Sequence, residues 1–204
     1  KYHKVENIYL DEKEIAEIEK LKSKDLTDGL ENARDWLLIS CYCGQRVSDS
    51  LRFDKSMIRY EKNKAGELKP LIEFTQVKTD KIMTIPLHSK IIEIMKKYEG
   101  NFPRKISDQR YNEHIKKVCE KAKINTPTHG TLFDHDKKEK VTKDYPKHLL
   151  VSSHIGRRSF ATNNYGKIPT SFLMYITGHT TEAMFLTYIG KSNKDIAMEL
   201  TNYF

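Results

Sequence analysis

Residues 57–87 read MIRYEKNKAGELKPLIEFTQVKTDKIMTIPL, and this stretch decides the fold class. Three strand-like pieces, Met57–Tyr60, Leu71–Val77 and Lys81–Leu87, are separated by the turn-rich Asn63–Gly66 and by Lys78-Thr79-Asp80. Spacers this short predict a small antiparallel sheet with a tight second hairpin. The flanks are helical. Asp11-Glu12-Lys13-Glu14 has the spacing of a capping box, and Ile15, Ile18 and Leu21 follow at helical spacing, so residues 12–22 read as a helix. Thr27 caps a longer one, with Leu30, Ala33, Trp36, Leu37 and Cys41 on one stripe and an end near Gly44. Ile91, Ile92, Met95 and Tyr98 mark a further helix, and Tyr111, Ile115, Val118 and Ala122 another. Residues 125–150 lack periodicity and read as a polar excursion or a loose hairpin. Helices then follow at about 155–165, 169–177, 181–189 and 192–201. The expected fold class is α+β, mostly helical with one small antiparallel sheet.

A chain of 204 residues is long enough to bury a core of its own and reads as one domain. The longest uncharged apolar stretch, Trp36–Gly44, falls well short of the roughly 20 residues a membrane span needs. No basic-then-apolar signal peptide opens the sequence, and its start at Lys1 suggests that an N-terminal portion has been removed. Cys41, Cys43 and Cys119 form an odd, sparse set, unlike a disulfide framework, and a reducing cytoplasm suits them. Lys plus Arg number 36 against 28 Asp plus Glu, a net charge of +8. A basic domain of this kind suits a polyanionic partner, because neutralising phosphates releases condensed counterions. Many soluble proteins are modestly basic, so charge alone leaves the question open.

Several chemistries find no support. Cys41 and Cys43, two apart on a predicted helix, point to nearly opposite sides and read as core. His129, His135 and His148 have no Cys partner at zinc-finger spacing. The phosphate-cradling glycine loops of nucleotide-binding folds are missing, and the acidic residues are scattered, unlike those of a two-metal nuclease. What remains is a set of cationic and hydrogen-bonding residues at the edges of elements. Arg46 follows Gly44 and precedes Asp49 by three, and Lys78 sits at a hairpin tip. His154 and Arg157 share the mouth of a helix, and His179 follows Gly178, with Tyr188 nine residues on. Each has a plain reading alone: a solvated lysine, a core tyrosine, an Arg46–Asp49 ion pair.

Taken in order, these residues resemble the tyrosine recombinase (phage integrase) family over essentially the whole chain. The first arginine box matches Gly44-Gln45-Arg46-Val47-Ser48-Asp49, and the β-hairpin lysine matches Lys78 in Gln76-Val77-Lys78-Thr79. The His-x-x-Arg box matches His154-Ile155-Gly156-Arg157, the Gly-His box Gly178-His179, and the nucleophile Tyr188. Gly156 stands where the family often has Leu, with a looser helix start as the expected consequence, and Arg158 stands where it often has His. The N-terminal core-binding domain usual in the family has no counterpart, so residues 1–204 read as a catalytic domain alone.

The resemblance implies a site-specific recombinase or integrase that cleaves DNA by tyrosine attack on phosphorus, giving a 3′-phosphotyrosyl link and a free 5′-hydroxyl. A phenol, with a pKa near 10, is both nucleophile and leaving group, so the step reverses without ATP. On this reading Arg46 and Arg157 clamp the non-bridging oxygens and Lys78 protonates the departing 5′-oxygen. His154 accepts the Tyr188 proton or bonds the phosphate, and His179 donates to it. Asp49 orients Arg46 or His154 from behind. No cofactor and no metal is implied. The implied partners are double-stranded DNA, further copies of the chain as a tetramer on it, and accessory DNA-bending proteins. The implied setting is integration or excision of a mobile element in a bacterial or phage context. Residues 192–204 resemble the family's C-terminal helix, which docks on a neighbouring protomer; packing on their own domain is the alternative. Two rival functions share the pattern: type IB topoisomerase-like relaxation, and a catalytically silent DNA-binding module.

Overall fold

The computed structural model describes residues 7–204, and Lys1 lies outside them. Helix α1 (Glu12–Lys20) opens on the expected capping box: Asp11 Oδ1 accepts from the Glu14 N–H at 2.8 Å, and Glu14 Oε1 accepts from the Asp11 N–H at 3.0 Å. It stops at Lys20, short of the expected Lys22, because Leu21 is extended and turns its carbonyl to the Arg34 guanidinium. Helix α2 (Asp28–Cys43) follows, capped by Thr27. The expected stripe is buried, but so are Leu38, Ile39 and Cys43 on other faces. α2 is thus a central helix, packed by its neighbours on several sides. Trp36, Leu37 and Ile39 are fully buried, each contributing about 1.5–3 kcal/mol of apolar transfer. The indole N–H of Trp36 donates to the Arg104 carbonyl at 2.9 Å, so even this polar edge is satisfied.

After the short helix α3 (Val47–Ser50) come β1 (Ile58–Lys62), β2 (Leu68–Thr75) and β3 (Ile82–Pro86), an antiparallel sheet in the order β1-β2-β3. Ile72, Phe74, Met83 and Ile85 face the core, and the ladder pairs Ile72 with Ile85 and Phe74 with Met83. Helices α4 (Ser89–Lys96) and α5 (Asp108–Lys121) then pack on α2. Next is a second sheet, which the expectation of one small sheet did not include. β4 (Pro127–Asp134) and β5 (Glu139–Pro146) form a long two-stranded hairpin in the segment read as an excursion or loose hairpin. Of its strand residues only Gly130 is buried, so no alternating apolar face exists to announce it.

The rest is helical: α6 (Lys147–Leu150), α7 (Ile155–Asn164), α8 (Thr170–Thr177), α9 (Glu182–Tyr188) and α10 (Asn193–Leu200). α8 and α9 rest on a small satellite core of Phe160, Ala161, Leu173, Phe185 and Ile189, with Ile176 packed against both it and the main core. The three cysteines are buried and unbridged, and burial pushes the Cys43 and Cys119 thiols up to about 12, which keeps them protonated. No helix among the described residues is long and apolar enough to cross a membrane.

Candidate active site

Arg46 is positioned by the way α2 ends. Gly44 adopts the left-handed conformation, φ +68°, and a Cβ there would lie 2.9 Å from Cε1 of Phe160. Gln45 is fully buried and donates from Nε2 to the Ile176 carbonyl at 2.8 Å, which pins the turn to α8. Arg46 then serves as the extended N-cap of α3 with its side chain half-buried. Its Nη2 lies 3.9 Å from the position a Cβ on Gly178 would take, so the loop after α8 runs beside the guanidinium.

Asp49 is fully buried, and its Oδ1 accepts from the backbone N–H of Val77 at 2.8 Å. Arg52 stands 4.0 Å from the same oxygen and donates to the Thr75 carbonyl at 2.8 Å. The expected contact partners for Asp49 were Arg46 or His154. The carboxylate instead ties the β2–β3 turn to α3, one residue from Lys78. Thr79 closes that turn by donating to Gln76 Oε1 at 2.7 Å, and Lys78 is exposed at its tip.

α7 carries the second arginine, and Gly156 brings it close. A Cβ on Gly156 would sit 2.5 Å from the Ser40 Cβ, so the missing methyl lets α7 lie directly on α2. The expected loosening of the helix start is replaced by tight packing: Ile155, Gly156 and Arg157 are all buried. The Arg157 guanidinium donates to the Thr177 carbonyl. Thr177 also holds His179, with 2.8 Å between its Oγ and the imidazole Nδ1. The Thr177 hydroxyl hydrogen is already given to the Leu173 carbonyl at 2.7 Å, so His179 must donate from Nδ1, leaving Nε2 as an acceptor.

Tyr188 closes the cluster. It is the last residue of α9, three after the buried anchor Phe185, so both face the satellite core. Its ring lies 4.8 Å from that of His179, with the guanidinium carbons of Arg157 and Arg158 at 5.9 and 5.4 Å from the ring centre. An open cleft of about 500 Å³ is lined by Asn7, Arg158, His179, Met184, Thr187 and Tyr188. Arg46 Nη1 and Arg157 Nη1 are buried donors that no protein group takes up among the described residues.

The electrostatics follow from this crowding. Burial, then the charges of Arg157 and Arg46, lower the His179 pKa to about 4. Burial, then Arg158, Arg157 and Arg46, push His154 down as well. Arg157 is itself drawn down by burial, against the opposing pull of Tyr188. Both imidazoles are therefore neutral at pH 7. Among the described residues there is no group of three or more His, Cys, Asp or Glu that could hold a metal ion.

Arg157 and His179 thus both lie against the Tyr188 ring, with Arg46 beside Gly178 and His154 at the exposed mouth of α7. Lys78 stays exposed at its hairpin tip, and the turn that bears it is tied to Asp49 through Val77. Sequence reasoning missed Thr177, Gln45 and Asn7; Thr177 and Gln45 adjoin the motif residues Gly178 and Arg46, the one signal available for them.

A profile of the phage integrase family matches residues 9–195. No curated protein sequence matches the chain. The fold superimposes on the XerH site-specific recombinase bound to palindromic difH in a post-cleavage complex, with a TM-score of 0.63 at 14% identity over 97% of this chain and 53% of that one. It matches the XerA recombinase with a TM-score of 0.57 at 18% identity, over 96% and 63% of the two chains. It matches a lambda integrase dimer bound to a COC′ core site with a TM-score of 0.59 at 16% identity, over 91% and 49%. The chain thus spans between 49% and 63% of the length of these solved proteins, and the likeness is one of fold. With the profile running through every motif from Arg46 to Tyr188 and the same fold beneath them, the chain belongs to the phage integrase family, the tyrosine recombinases.

Proposed function

We propose that residues 1–204 are the catalytic domain of a site-specific recombinase that breaks and rejoins DNA through a covalent tyrosyl link. The observation that supports this most is the Tyr188 phenol among arginines, with Arg46 and Arg157 each keeping a buried N–H that no protein group takes up among the described residues. A scissile phosphate entering there meets a nucleophile and two permanent cations, and fits both orphaned donors.

Tyr188 Oη attacks phosphorus, the bond to the 5′-oxygen breaks, and a 3′-phosphotyrosyl ester forms. His179 Nε2, an acceptor held neutral at pH 7, takes the phenol proton, and the imidazolium then donates to a non-bridging oxygen. That sequence joins two roles, proton acceptor and phosphate donor, in the imidazole nearest the phenol. His154, exposed at the α7 mouth, adds a hydrogen bond to the phosphate. Lys78 protonates the departing 5′-oxygen, and Asp49 holds its hairpin. Arg46 and Arg157 neutralise the charge that builds in the transition state, and losing either costs on the order of 3 kcal/mol. The ester retains the energy of the broken bond, so attack by a 5′-hydroxyl rejoins the strand without nucleotide hydrolysis.

The partner is double-stranded DNA, which carries one phosphate per about 1.7 Å of duplex axis and suits the +8 charge. The solved XerH, lambda and Tn1549 proteins are DNA-bound, one of them as a dimer, and the present chain would act as a tetramer on DNA with accessory bending proteins. α10 has no buried residue, and Met198 and Leu200 on it and Tyr203 and Phe204 beyond it are exposed, which suits docking on a neighbouring protomer. Integration or excision of a mobile element in the cytoplasm of a bacterial host is the biological role.

The test is covalent trapping. Nicked suicide duplexes, tiled across the DNA flanking the protein's own gene, are incubated with it in EDTA and run on a denaturing gel. A protein–DNA band that vanishes in Tyr188→Phe supports the reading. Relaxation of a plasmid lacking any such site would favour a topoisomerase, and no adduct from the full-length protein would favour a silent binding module.

A further inference from the structure

The backbone of the nucleophile ends in a particular way. Tyr188 is the last helical residue of α9, followed by Ile189 and by Gly190 in the left-handed conformation, φ +77°. Gly190 N–H donates to the Thr187 carbonyl at 3.1 Å and Lys191 N–H to the Leu186 carbonyl at 2.9 Å, the two bonds of a Schellman motif. That closure takes up the carbonyls of Leu186 and Thr187 and leaves the Tyr188 carbonyl over.

Asn7, more than 180 residues away in sequence, takes that carbonyl. With the amide set so that donor meets acceptor, its nitrogen donates to the Tyr188 carbonyl at 3.0 Å, and its oxygen accepts at 2.8 Å from the Gly190 N–H, which it shares with the Thr187 carbonyl in a three-centre bond. The amide spans the helix end, one bond on each side of Ile189. The fit is close: a Cβ on Gly190 would lie 3.1 Å from the Asn7 Cβ and 2.8 Å from its Cγ. The strap that holds Asn7 is itself anchored to α7. Leu10 N–H donates to Ser159 Oγ at 2.8 Å, and Asn163 Nδ2 donates to the Leu10 carbonyl at 2.9 Å. One short segment is therefore bonded both to the helix bearing Arg157 and to the end of the helix bearing Tyr188.

We propose that Asn7 is a positioning residue for Tyr188: its amide clamps the end of α9 and holds the phenol in register with Arg157 and His179. The clamp is needed because α9 rests on only a small satellite core. A segment with few buried apolar contacts opens locally at low free-energy cost, so a two-pronged bond at its end narrows the range of ring positions. The amide donor and the amide acceptor are both required. An aspartate offers only the acceptor when ionised and sets a negative charge against the Tyr188 carbonyl; once protonated it offers both again. The proposal rests on Tyr188 being the nucleophile.

The experiment measures single-turnover adduct formation by the full-length protein on the nicked suicide duplexes described above, across DNA concentration and pH. Asn7→Ala is expected to lower the limiting rate by roughly ten- to a hundredfold, since small misplacements of reacting groups carry penalties of that order, with half-saturation unchanged. Asn7→Asp is expected to match that loss at pH 8 and to recover toward wild type as pH falls through the carboxyl range, while Asn7→Ala keeps a constant deficit. A wild-type limiting rate in Asn7→Ala overturns the proposal, as does a loss confined to half-saturation or an Asn7→Asp deficit that ignores pH. Failure of the underlying reading looks different. There, wild-type protein yields no adduct, or the adduct persists in Tyr188→Phe, and the Asn7 proposal falls with it.

Discussion

Thr177 Oγ lies 2.8 Å from His179 Nδ1, and its own hydrogen is committed to the Leu173 carbonyl, so one buried hydroxyl sets the tautomer of the imidazole beside Tyr188. Through its carbonyl the same residue receives the Arg157 guanidinium. Arg157 on α7 and His179, two residues past the end of α8, are thus both held by this one residue.

Replacing Thr177 with valine keeps the shape and removes the acceptor for His179 Nδ1. The adduct-forming rate at pH 7 is expected to fall about tenfold, the loss of one buried hydrogen bond of about 1.4 kcal/mol, and Thr177→Ser to restore it. Rapid-quench kinetics on the suicide duplexes reads this; equal rates in Thr177→Val and wild type would remove the hydroxyl from the mechanism.

The pH dependence of stability has a definite sign. His154 and His179 are held below the ordinary imidazole pKa of about 6.5, His179 down to about 4, so between those values the unfolded chain binds more protons than the folded one. Stability is full above pH 6.5 and declines as pH falls toward 4. Urea midpoints at pH 7 and pH 5 are expected to differ more in wild type than in His179→Phe, which removes the larger of the two linked groups. Identical differences would place the pH sensitivity elsewhere.

Gly156→Ala introduces a methyl where the Ser40 side chain and backbone already lie, with the Ser40 carbonyl carbon only 3.0 Å away. Overpacking of this kind costs about 1–3 kcal/mol. Because one of the contacts is backbone, the double variant Ser40→Gly/Gly156→Ala is expected to recover only part of the loss. Thermal unfolding of both variants reports it, and an unchanged melting temperature in Gly156→Ala would mean that α2 and α7 move apart freely.

Asp49→Ala removes the carboxylate that accepts from Val77 and so frees the turn bearing Lys78. Adduct formation on an ordinary phosphodiester is expected to slow about a hundredfold, in line with the loss of a general acid. A duplex with sulfur at the bridging 5′ position, whose thiolate leaves without protonation, is expected to react at nearly the wild-type rate. An equal deficit on both substrates would show that Asp49 acts on something other than delivery of the proton.

Much of the fold was legible because a half-buried element stamps its period on the chain. Leu30, Ala33, Trp36, Leu37 and Cys41 marked α2, and Ile72, Phe74, Met83 and Ile85 line the inner face of the first sheet. The β4–β5 hairpin escaped for the same reason in reverse: with nearly every strand residue at least partly solvent-facing, its strands owe nothing to a buried face. The end of α1 escaped too, since Leu21 leaves the helix to meet an arginine 13 residues on.

The sequence by itself determined the family, the order of the main helices and of the first sheet, and the choice of Arg46, Lys78, Asp49, His154, Arg157, His179 and Tyr188 as candidates for the site, because residue types at fixed local spacing are written in one dimension. Only the tertiary structure decided how those groups are held. Asp49 reaches Val77 rather than Arg46, Thr177 sets the His179 tautomer, Gly156 yields its Cβ space to Ser40, and Asn7 closes on the end of the helix bearing Tyr188. Most of these are contacts between residues far apart in sequence. They follow from which buried donors and acceptors remain once the helices have packed, and only the assembled core specifies that.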